Sequence, residues 1–418
     1  MAPDLPDPEA TAPPGLTDHL LEEVFIRIGT HADLIRASVA CTGFLRLITD
    51  PAFLRRYRTL HPPLLLGFVG CGEAANVYYI PAGPATRFLP AEAPHPNEPA
   101  ARALAAAADF SFDHHPDQGL SSWPRCDARN GRVLLMSSDS LHGGLAVSPV
   151  LSVCDPLTRA YTLLPPIPDN LRASVLDEVQ GDQFNFFDAI FDPSGGNEEA
   201  LFGEETQFRV VCWAISFSMT VVFVYSSVSG SWSHGTSIVF DALDLDIPPE
   251  CYPIMGRLHS YAYGCLYWDV DMGNHMIKLD INSMEFTTVS LPSDHATRST
   301  MFVEAGEGRI GMFSLIIPEA ENPQSLSYSI WQNEGENAAS EHSVETTIQL
   351  SSDYKIYLFD GAAEGYIFLT GLRGGLTPGS AFFSVEIKTL KFERVCRANI
   401  GRDPEYGHFR PFISPRRI

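Results

Sequence analysis

The side chains that most often carry out chemistry are thinly spread along this sequence. Its eight cysteines lie at positions 41, 71, 126, 154, 212, 251, 265 and 396, and no two of them fall within four residues of each other. The C-x-x-C pairs that hold zinc or cycle between thiol and disulfide are therefore absent. Disulfide frameworks are typical of short, cysteine-dense secreted chains, and this chain has 418 residues. We expect reduced, mostly buried thiols.

Three motifs contain residue types that are found in ligand sites, but the sequence around each motif does not match such a site. Residues 306–311 match GxGxxG, but the following MFSLII has strand character, so a hairpin turn is predicted rather than a dinucleotide site. The adjacent histidines His114 and His115 lie in a Pro-flanked loop and would point in different directions. Residues 268–275 combine acids with a histidine but lack the twelve-residue calcium loop, so they predict a strand followed by a turn.

The signatures of a catalytic serine and of a phosphate-binding loop are also absent. No G-x-S-x-G occurs, and 371–375 lacks the Lys-Ser/Thr pair that holds nucleotide phosphates. Paired carboxylates for glycoside hydrolysis stay open as an alternative, because their approach depends on the fold and no pair stands out. The sequence therefore predicts no catalytic residue, no metal and no cofactor.

The charge balance excludes two classes of partner. The chain has 51 acidic and 28 basic residues, a formal net charge of −23. Its field would repel phosphate, so we expect neither nucleic acid nor an anionic membrane as a partner. Hydrophobic residues make up 45% of the chain, which is too many for a mostly disordered protein.

No targeting signal is apparent. Residues 1–14 are acidic and Pro-rich, without the basic and apolar regions of a signal peptide, and are predicted to be a disordered leader. The uncharged stretch 210–232 is long enough to suggest a membrane span. Its two apolar parts are β-branched and each is of strand length, so two paired strands are predicted instead. We expect a cytoplasmic and/or nuclear protein.

Residues 15–60 have helical periodicity, which predicts three to four short helices. Gly29 would end the first helix, Thr30 would cap the second, and Asp50 followed by Pro51 would start the fourth. A unit of about 45 residues buries little core, and its apolar stripes exceed what three short helices need. A partner protein covering one face is therefore predicted. The alternative is an ordinary helical domain packed on the rest of the chain.

The residue types and spacing over 16–54, with the continuation 55–63, resemble an F-box of the large F-box family of grasses. Three positions depart from that pattern: Thr17 replaces a proline, Phe44 replaces a tryptophan, and 42–43 replaces a basic residue. Thr17 can still cap the first helix, and Phe44 still supplies an aromatic anchor.

The resemblance implies a role in protein ubiquitination. F-box helices dock on the Skp-type adaptor of a cullin-RING ubiquitin ligase, the SCF complex, and the rest of the protein chooses the target. By position in the motif, the adaptor-binding residues would be Leu16, Thr17, Leu20, Leu21, Leu34, Val39, Phe44 and Leu47. Some of them must instead form the core of the helices, and the sequence does not separate the two sets.

From residue 64 onward, the chain changes to short β-branched and aromatic runs between turn residues, interrupted at 91–108 by a loop and a short Ala-rich helix. A unit of an apolar strand, a turn, a second strand and a loop recurs five times, with copies ending at Tyr161, Trp232, Phe286, residue 335 and Phe392. In the four copies that end at Tyr161, Trp232, Phe286 and Phe392, a strand end and a turn are followed by an aromatic residue that restarts the chain. The spacing is typical of β-propeller blades. Another blade from 64–88 would give about six, and a β-sandwich is the alternative. The resemblance also implies a kelch-like or F-box-associated propeller.

The complete prediction is an α+β multidomain chain, with a small F-box followed by an all-β domain over 64–418. Residues 169–206 contain ten acids and one base, and predict either a surface for a basic partner or a solvated, mobile insertion between blades. The leading functional hypothesis is a non-enzymatic adaptor that recruits an unknown target protein. The alternatives are a binding protein that works without the ligase and an enzyme with its site in the propeller pocket.

Overall fold

The chain divides into two compact units, Met1–Pro63 with Arg416–Ile418 and Leu64–Pro415. A computed structural model describes residues 16–29, 31–61, 63–71, 86–112, 125–136, 149–171, 186–193, 207–216, 218–243, 259–270, 275–292, 298–316, 324–331, 346–373, 379–398 and 409–413. In the described residues the first unit is helical and the second is almost entirely β. The fold is therefore mostly β, with a few short helices near the N-terminus.

Four helices form the first unit: α1 (Asp18–Phe25), α2 (His31–Ser38), α3 (Thr42–Ile48) and α4 (Pro51–Leu60). The predicted cap of α1 is confirmed, because the Thr17 hydroxyl accepts the backbone N–H of Leu20 at 3.4 Å. The predicted cap of α4 is also confirmed: Asp50 accepts two N–H groups of the first turn at 2.8 and 3.2 Å. The predicted cap Thr30 lies outside the described residues.

The helices enclose a small apolar core. Its buried side chains are Phe25, Ile26, Leu34, Leu47, Ile48, Phe53, Leu54 and Tyr57. The Tyr57 hydroxyl donates to the Ile28 carbonyl at 2.8 Å, which satisfies a polar atom inside this core. The rings of Phe25 and Phe44 meet edge to face at 4.9 Å and join α1 to α3.

The second unit contains five four-stranded antiparallel sheets, which we call the first to fifth blades. They follow β1 (Leu65–Cys71), β2 (Thr86–Pro90) and α5 (Glu98–Ala107). The first two blades are β3 (Arg125–Arg129), β4 (Arg132–Met136), β5 (Leu151–Cys154), β6 (Tyr161–Leu163), and β7 (Phe186–Phe191), β8 (Arg209–Ile215), β9 (Met219–Ser226), β10 (Ser231–Val239). A single 3-10 turn, Phe240–Leu243, follows β10.

The remaining blades complete the series. They are β11 (His259–Ala262), β12 (Cys265–Asp269), β13 (His275–Asp280), β14 (Glu285–Ser290); β15 (Ser299–Glu304), β16 (Ile310–Ile316), β17 (Ser325–Trp331), β18 (Thr346–Gln349); and β19 (Ile356–Ala363), β20 (Tyr366–Leu372), β21 (Ser380–Glu386), β22 (Phe392–Ala398). The last strand, β23 (Phe409–Ile413), pairs with β1 in a sheet of order β2-β1-β23.

These sheets form a ring, which makes the unit a β-propeller. The first strand of each blade is the inner one: β3 packs against β7, β11 against β15, and β15 against β19. The second and third blades share one buried cluster. β23 packs against both β3 and β19, so the three-stranded sheet lies between the first and fifth blades. The structure thus has five four-stranded blades rather than about six, and 64–88 contributes to the three-stranded sheet.

The repeat units read from the sequence correspond to the blades. Each of the five units supplies the second and third strands of one blade, such as β12 and β13. The stretch 210–232 forms β8, β9 and the start of β10, so its interpretation as paired strands is confirmed. The predicted Ala-rich helix is α5, which packs against β1 and β2. In the part of the chain that the structure describes, no helix is both long and apolar enough to cross a bilayer.

One turn recurs between the third and fourth strands of four blades. A residue with positive φ donates its N–H to the carbonyl four residues earlier at 2.8–2.9 Å. The pairs, donor first, are Arg159–Asp155, Gly230–Ser226, Met284–Asp280 and Leu390–Glu386. These are the positions where the sequence placed a strand end, a turn and a restarting aromatic residue, so that plan is confirmed.

Neighbouring blades are joined by hydrogen bonds that satisfy backbone N–H groups of inner strands. The Asp127 carboxylate of β3 accepts the N–H of Phe191 in β7 at 2.9 Å. The Ser260 hydroxyl of β11 accepts the N–H of Phe302 in β15 at 3.2 Å. An inner strand pairs with another strand on one side only, so side chains of the preceding blade replace part of the missing ladder.

The acidic segment 169–206 is not simply a solvated insertion between blades. Its residues 186–191 are β7, the inner strand of the second blade. Asp188 and Asp192 are both buried, and the Arg209 guanidinium lies 2.9 Å from the Asp192 carboxylate. The prediction failed here because charge counting assigns every acid to solvent, whereas these two are held inside the ring. Residues 172–185 and 194–206 lie outside the described residues.

Candidate protein-binding site on the helical unit

The helical unit exposes far more apolar surface than its size requires. Fourteen large hydrophobic side chains are exposed among the described residues, and seven of them lie between Leu16 and Leu60. These seven are Leu16, Leu20, Val24, Ile35, Val39, Leu45 and Leu60. Exposed apolar groups that cluster in one small unit are typical of a surface that another protein covers.

The first part of this surface is a stripe along α1. Leu16, Leu20 and Val24 are spaced four residues apart, so they fall on one side of the helix, and all three are exposed, Leu20 by 51%. Thr17 is also exposed and fixes where the helix begins. The opposite side of α1 turns Leu21 and other apolar residues toward the core.

The second part belongs to α2 and α3. Val39, directly after α2, is 76% exposed, and Ile35 lies one turn before it. Leu45 on α3 is also exposed. The sequence prediction missed Ile35, Leu45 and Val24 as candidates. Each of them is an apolar residue near a core position, as Ile35 is next to Leu34. Periodicity alone does not distinguish such a residue from one more member of a wide core stripe.

The structure separates the eight predicted adaptor residues. Leu16, Thr17, Leu20 and Val39 are exposed, while Leu21 and Phe44 are half-buried at the edge of the core. Leu34 is fully buried and Leu47 nearly so. A buried side chain has no free surface for a partner, so we assign these two to the core, where they hold the exposed residues in place.

Ion pairs between helices fix the orientation of α1. The Arg46 guanidinium on α3 lies 2.9 Å from the Asp18 carboxylate, and Arg56 on α4 lies 3.5 Å from Glu22 and 2.6 Å from Glu23. The hydrogen bond from Arg56 lowers the pKa of Glu23. Exposed pairs of this kind contribute little stability, but they neutralise the charges that border the apolar stripe of α1.

The motifs that suggested chemistry form turns and strand ends wherever the structure describes them. Residues 306–311 form the turn between β15 and β16, as predicted, with positive φ at Gly306, Glu307 and Gly308. β12 ends at Asp269 and β13 begins at His275, with 271–274 outside the described residues. His114 and His115 also lie outside them. In the described ranges, no group of three His, Cys, Asp or Glu could hold a metal ion.

The described cysteines are mainly core residues. Cys154, Cys212, Cys265 and Cys396 are buried and free, and Cys41 is exposed as the cap of α3. Burial raises the pKa of Cys154 to about 11 and also raises those of Cys212 and Cys396. A thiol held in its protonated form is a poor nucleophile and a poor metal ligand.

Titratable groups from four blades converge near the axis of the propeller, where the inner strands end. Arg129 ends β3, Asp192 follows β7, Tyr261 lies near the end of β11, and Glu304 ends β15. Burial raises the pKa of Tyr261, the charges of Glu304 and Asp192 act in the same direction, and Arg129 opposes them. Charges of the first, second and fourth blades therefore act on a tyrosine of the third.

Sequence comparisons give no relative for this chain. No protein-family model and no curated protein sequence matches it. The family resemblance of the helical unit therefore rests on the residues themselves.

Solved structures provide similarities of fold only. The chain is similar to the β-propeller domain of the trilobed protease from Pyrococcus furiosus, at 8% identity over 66% of this chain and 71% of that one, with a TM-score of 0.33. The six-bladed lectin of Aleuria aurantia, which recognises fucose, is 10% identical over 67% of this chain and 78% of the lectin, with a TM-score of 0.34. A fructofuranosidase from Schwanniomyces occidentalis is 7% identical over 72% of this chain and 61% of that enzyme, with a TM-score of 0.29. TM-scores this low carry no argument about function, and the propeller assignment rests on the sheet order and ring described above.

Proposed function

We propose that this protein is a substrate-recruiting subunit of an SCF-type ubiquitin ligase. The helical unit would bind the Skp-type adaptor, and the propeller would bind the target protein. The observation that carries the proposal is the exposed apolar face of Leu16, Leu20, Val24 and Val39. Three of these residues, Leu16, Leu20 and Val39, also belong to the set that resembles the adaptor-binding part of an F-box.

The proposed mechanism is proximity rather than chemistry on this chain. The ligase core would supply the reacting groups, and this protein would raise the effective concentration of the target beside them. The role requires rigid binding surfaces and a location where the ligase works, in the cytoplasm and/or the nucleus. It requires no catalytic residue and no cofactor.

Binding to a purified Skp-type adaptor tests the proposal. The double variant Leu20→Ala with Val39→Ala removes two exposed side chains that the core does not need. Leu163→Ala is the matched control, because Leu163 is also exposed but lies on β6 of the propeller. We expect wild type and the control to bind, and the double variant to bind at least tenfold more weakly. If wild type does not bind, or the double variant binds equally well, the adaptor role is wrong.

Two alternatives have specific observations behind them. Thr17 departs from the usual F-box pattern and 42–43 lacks its basic residue, which favours a binding protein that works without the ligase. A ubiquitination assay with adaptor binding already established separates this alternative from the first.

The groups around Tyr261 favour an enzyme with its site at the propeller axis. Turnover that is lost in Tyr261→Phe but kept in the double variant of the helical unit would support that reading.

A further inference from the structure

Three blades have the same two-residue hairpin between their first and second strands, and one of them contains an unexpected residue. The central pairs are Asn130-Gly131, Tyr263-Gly264 and Glu364-Gly365, all with positive φ at both positions. This is the type I′ turn, which favours Asn-Gly. A bulky residue with positive φ is strained. Tyr263 is the least suitable residue of the three for this position, and such outliers are often found at functional sites.

Tyr263 lies against the neighbouring blade and remains accessible. Its backbone N–H donates to the Glu304 carboxylate at 2.9 Å, and its hydroxyl accepts the N–H of Gly306 at 3.1 Å. The residue is nevertheless 40% exposed. Tyr261, two residues earlier, is half-buried and packs against the cluster shared by the second and third blades. The adjacent tips of the third and fourth blades therefore present the Tyr263 side chain beside the Glu304 carboxylate.

The Glu304 carboxylate is accessible to a partner. Glu304 is exposed, and no basic side chain in the described ranges forms an ion pair with it. The nearest base in sequence, Arg309, pairs with Glu307 at 3.1 Å. Arg129, on the first blade, is half-buried. A carboxylate beside an exposed aromatic ring is the arrangement that attracts a cationic side chain, by ion pairing and by cation–π contact.

The distribution of charge over the chain agrees with a basic partner. Of the 51 acidic and 28 basic residues, 8 of each lie in the helical unit as the chain divides, so that unit is balanced. The other 43 acidic and 20 basic residues give the propeller unit the whole formal charge of −23. A field of this sign steers a basic segment toward the propeller.

We propose that the tips of the third and fourth blades, through Tyr263 and Glu304, bind a lysine- or arginine-bearing segment of a partner protein. The inference deepens the target-binding half of the proposed function. It does not depend on the adaptor-binding half, because no helical residue takes part.

The full-length protein and a fluorescein-labelled hexa-arginine peptide test this by fluorescence anisotropy at low ionic strength, with labelled hexaglutamate as the negative probe. Glu304→Gln keeps the acceptor for the Tyr263 N–H but removes the charge, and we expect about fivefold weaker binding. Glu364→Gln makes the same charge change on the equivalent hairpin of the fifth blade, and we expect affinity within about twofold of wild type.

Tyr263→Asn separates recognition from structure. Asn suits the turn, so this variant should melt about 2 °C higher than wild type and still bind the peptide at least about threefold more weakly. Tyr263→Phe keeps the ring, so it should retain affinity. If Glu304→Gln and Glu364→Gln weaken binding equally, the attraction is spread over the acidic surface and the site is wrong. If Tyr263→Asn melts lower with unchanged affinity, Tyr263 is only structural, which also overturns the inference. Either result leaves the adaptor test of the helical unit unaffected.

Discussion

Replacing Leu34 or Leu20 by alanine should weaken adaptor binding in both cases, but only the change at Leu34 should greatly lower stability. Leu34 is fully buried, whereas Leu20 is 51% exposed. Truncating a buried leucine costs about 3–5 kcal/mol, since it loses transfer free energy and leaves a cavity. Truncating Leu20 should cost at most about 1 kcal/mol, because half of the side chain is already in water.

The size of the helical unit makes this difference visible. About 45 residues correspond to a stability of roughly 2–7 kcal/mol. Leu34→Ala should therefore remove most of the free energy of unfolding of this unit, while Leu20→Ala should leave the unit folded. Both variants should bind the adaptor poorly, the first because the surface is lost with the fold and the second because one contact is missing.

Hydrogen exchange of the full-length protein, read by mass spectrometry on peptides covering 31–48, distinguishes the two variants. Protection in these peptides should fall sharply in Leu34→Ala and stay near the wild-type level in Leu20→Ala. Peptides from β8 and β9 provide the internal reference. Equal loss of protection in both variants would show that Leu20 belongs to the core, and the assignment of the exposed face would then be wrong.

Three other changes should have measurable effects on stability. Asp50→Ala removes the acceptor of two N–H groups and should cost about 1 kcal/mol by denaturant unfolding. Gly371→Ala would bring a Cβ to 2.7 Å from the Phe383 ring, and overpacking of this kind should cost about 1–3 kcal/mol and lower Tm. Hydrogen bonds from the backbone N–H of Ser283, and also of Asn282, lower the pKa of Asp280. The stability that they contribute is present above the ordinary carboxyl pKa and lost as pH falls through the lowered pKa, so Tm should fall less with acid in Asp280→Asn than in wild type.

Local signals in the sequence predicted the fold well. The hydroxyl of Thr17 and the carboxylate of Asp50 lie where helix capping requires an acceptor, and both caps form. The repeated strand end, turn and aromatic residue predicted four hairpins because the geometry of that turn depends on adjacent residues only. Cys41 was not expected to cap α3, since a thiol is a weak acceptor and is rarely considered in that role.

What the sequence left open depends on contacts between distant parts of the chain. Leu20 and Leu34 are the same residue type in similar helical patterns, and only the packing of α1, α2 and α3 decides which one is buried. Asp188 and Asp192 became core residues because β7 takes the inner position of a blade. The blade count was misjudged because 64–88 contributes to a sheet that is completed by β23, from the other end of the propeller unit.

The pairing of β1 with β23 also sets the order of events on the ribosome. Leu65 and Ile413 are partners in this sheet, and about 350 residues separate them in the chain. At roughly 5–20 residues per second, synthesis of that interval takes roughly 20–70 s. During this time the nascent propeller has an open ring, and the edge of β1 that β23 will cover can pair with strands of other chains. The newly made protein should therefore need protection by chaperones until its last strand has emerged.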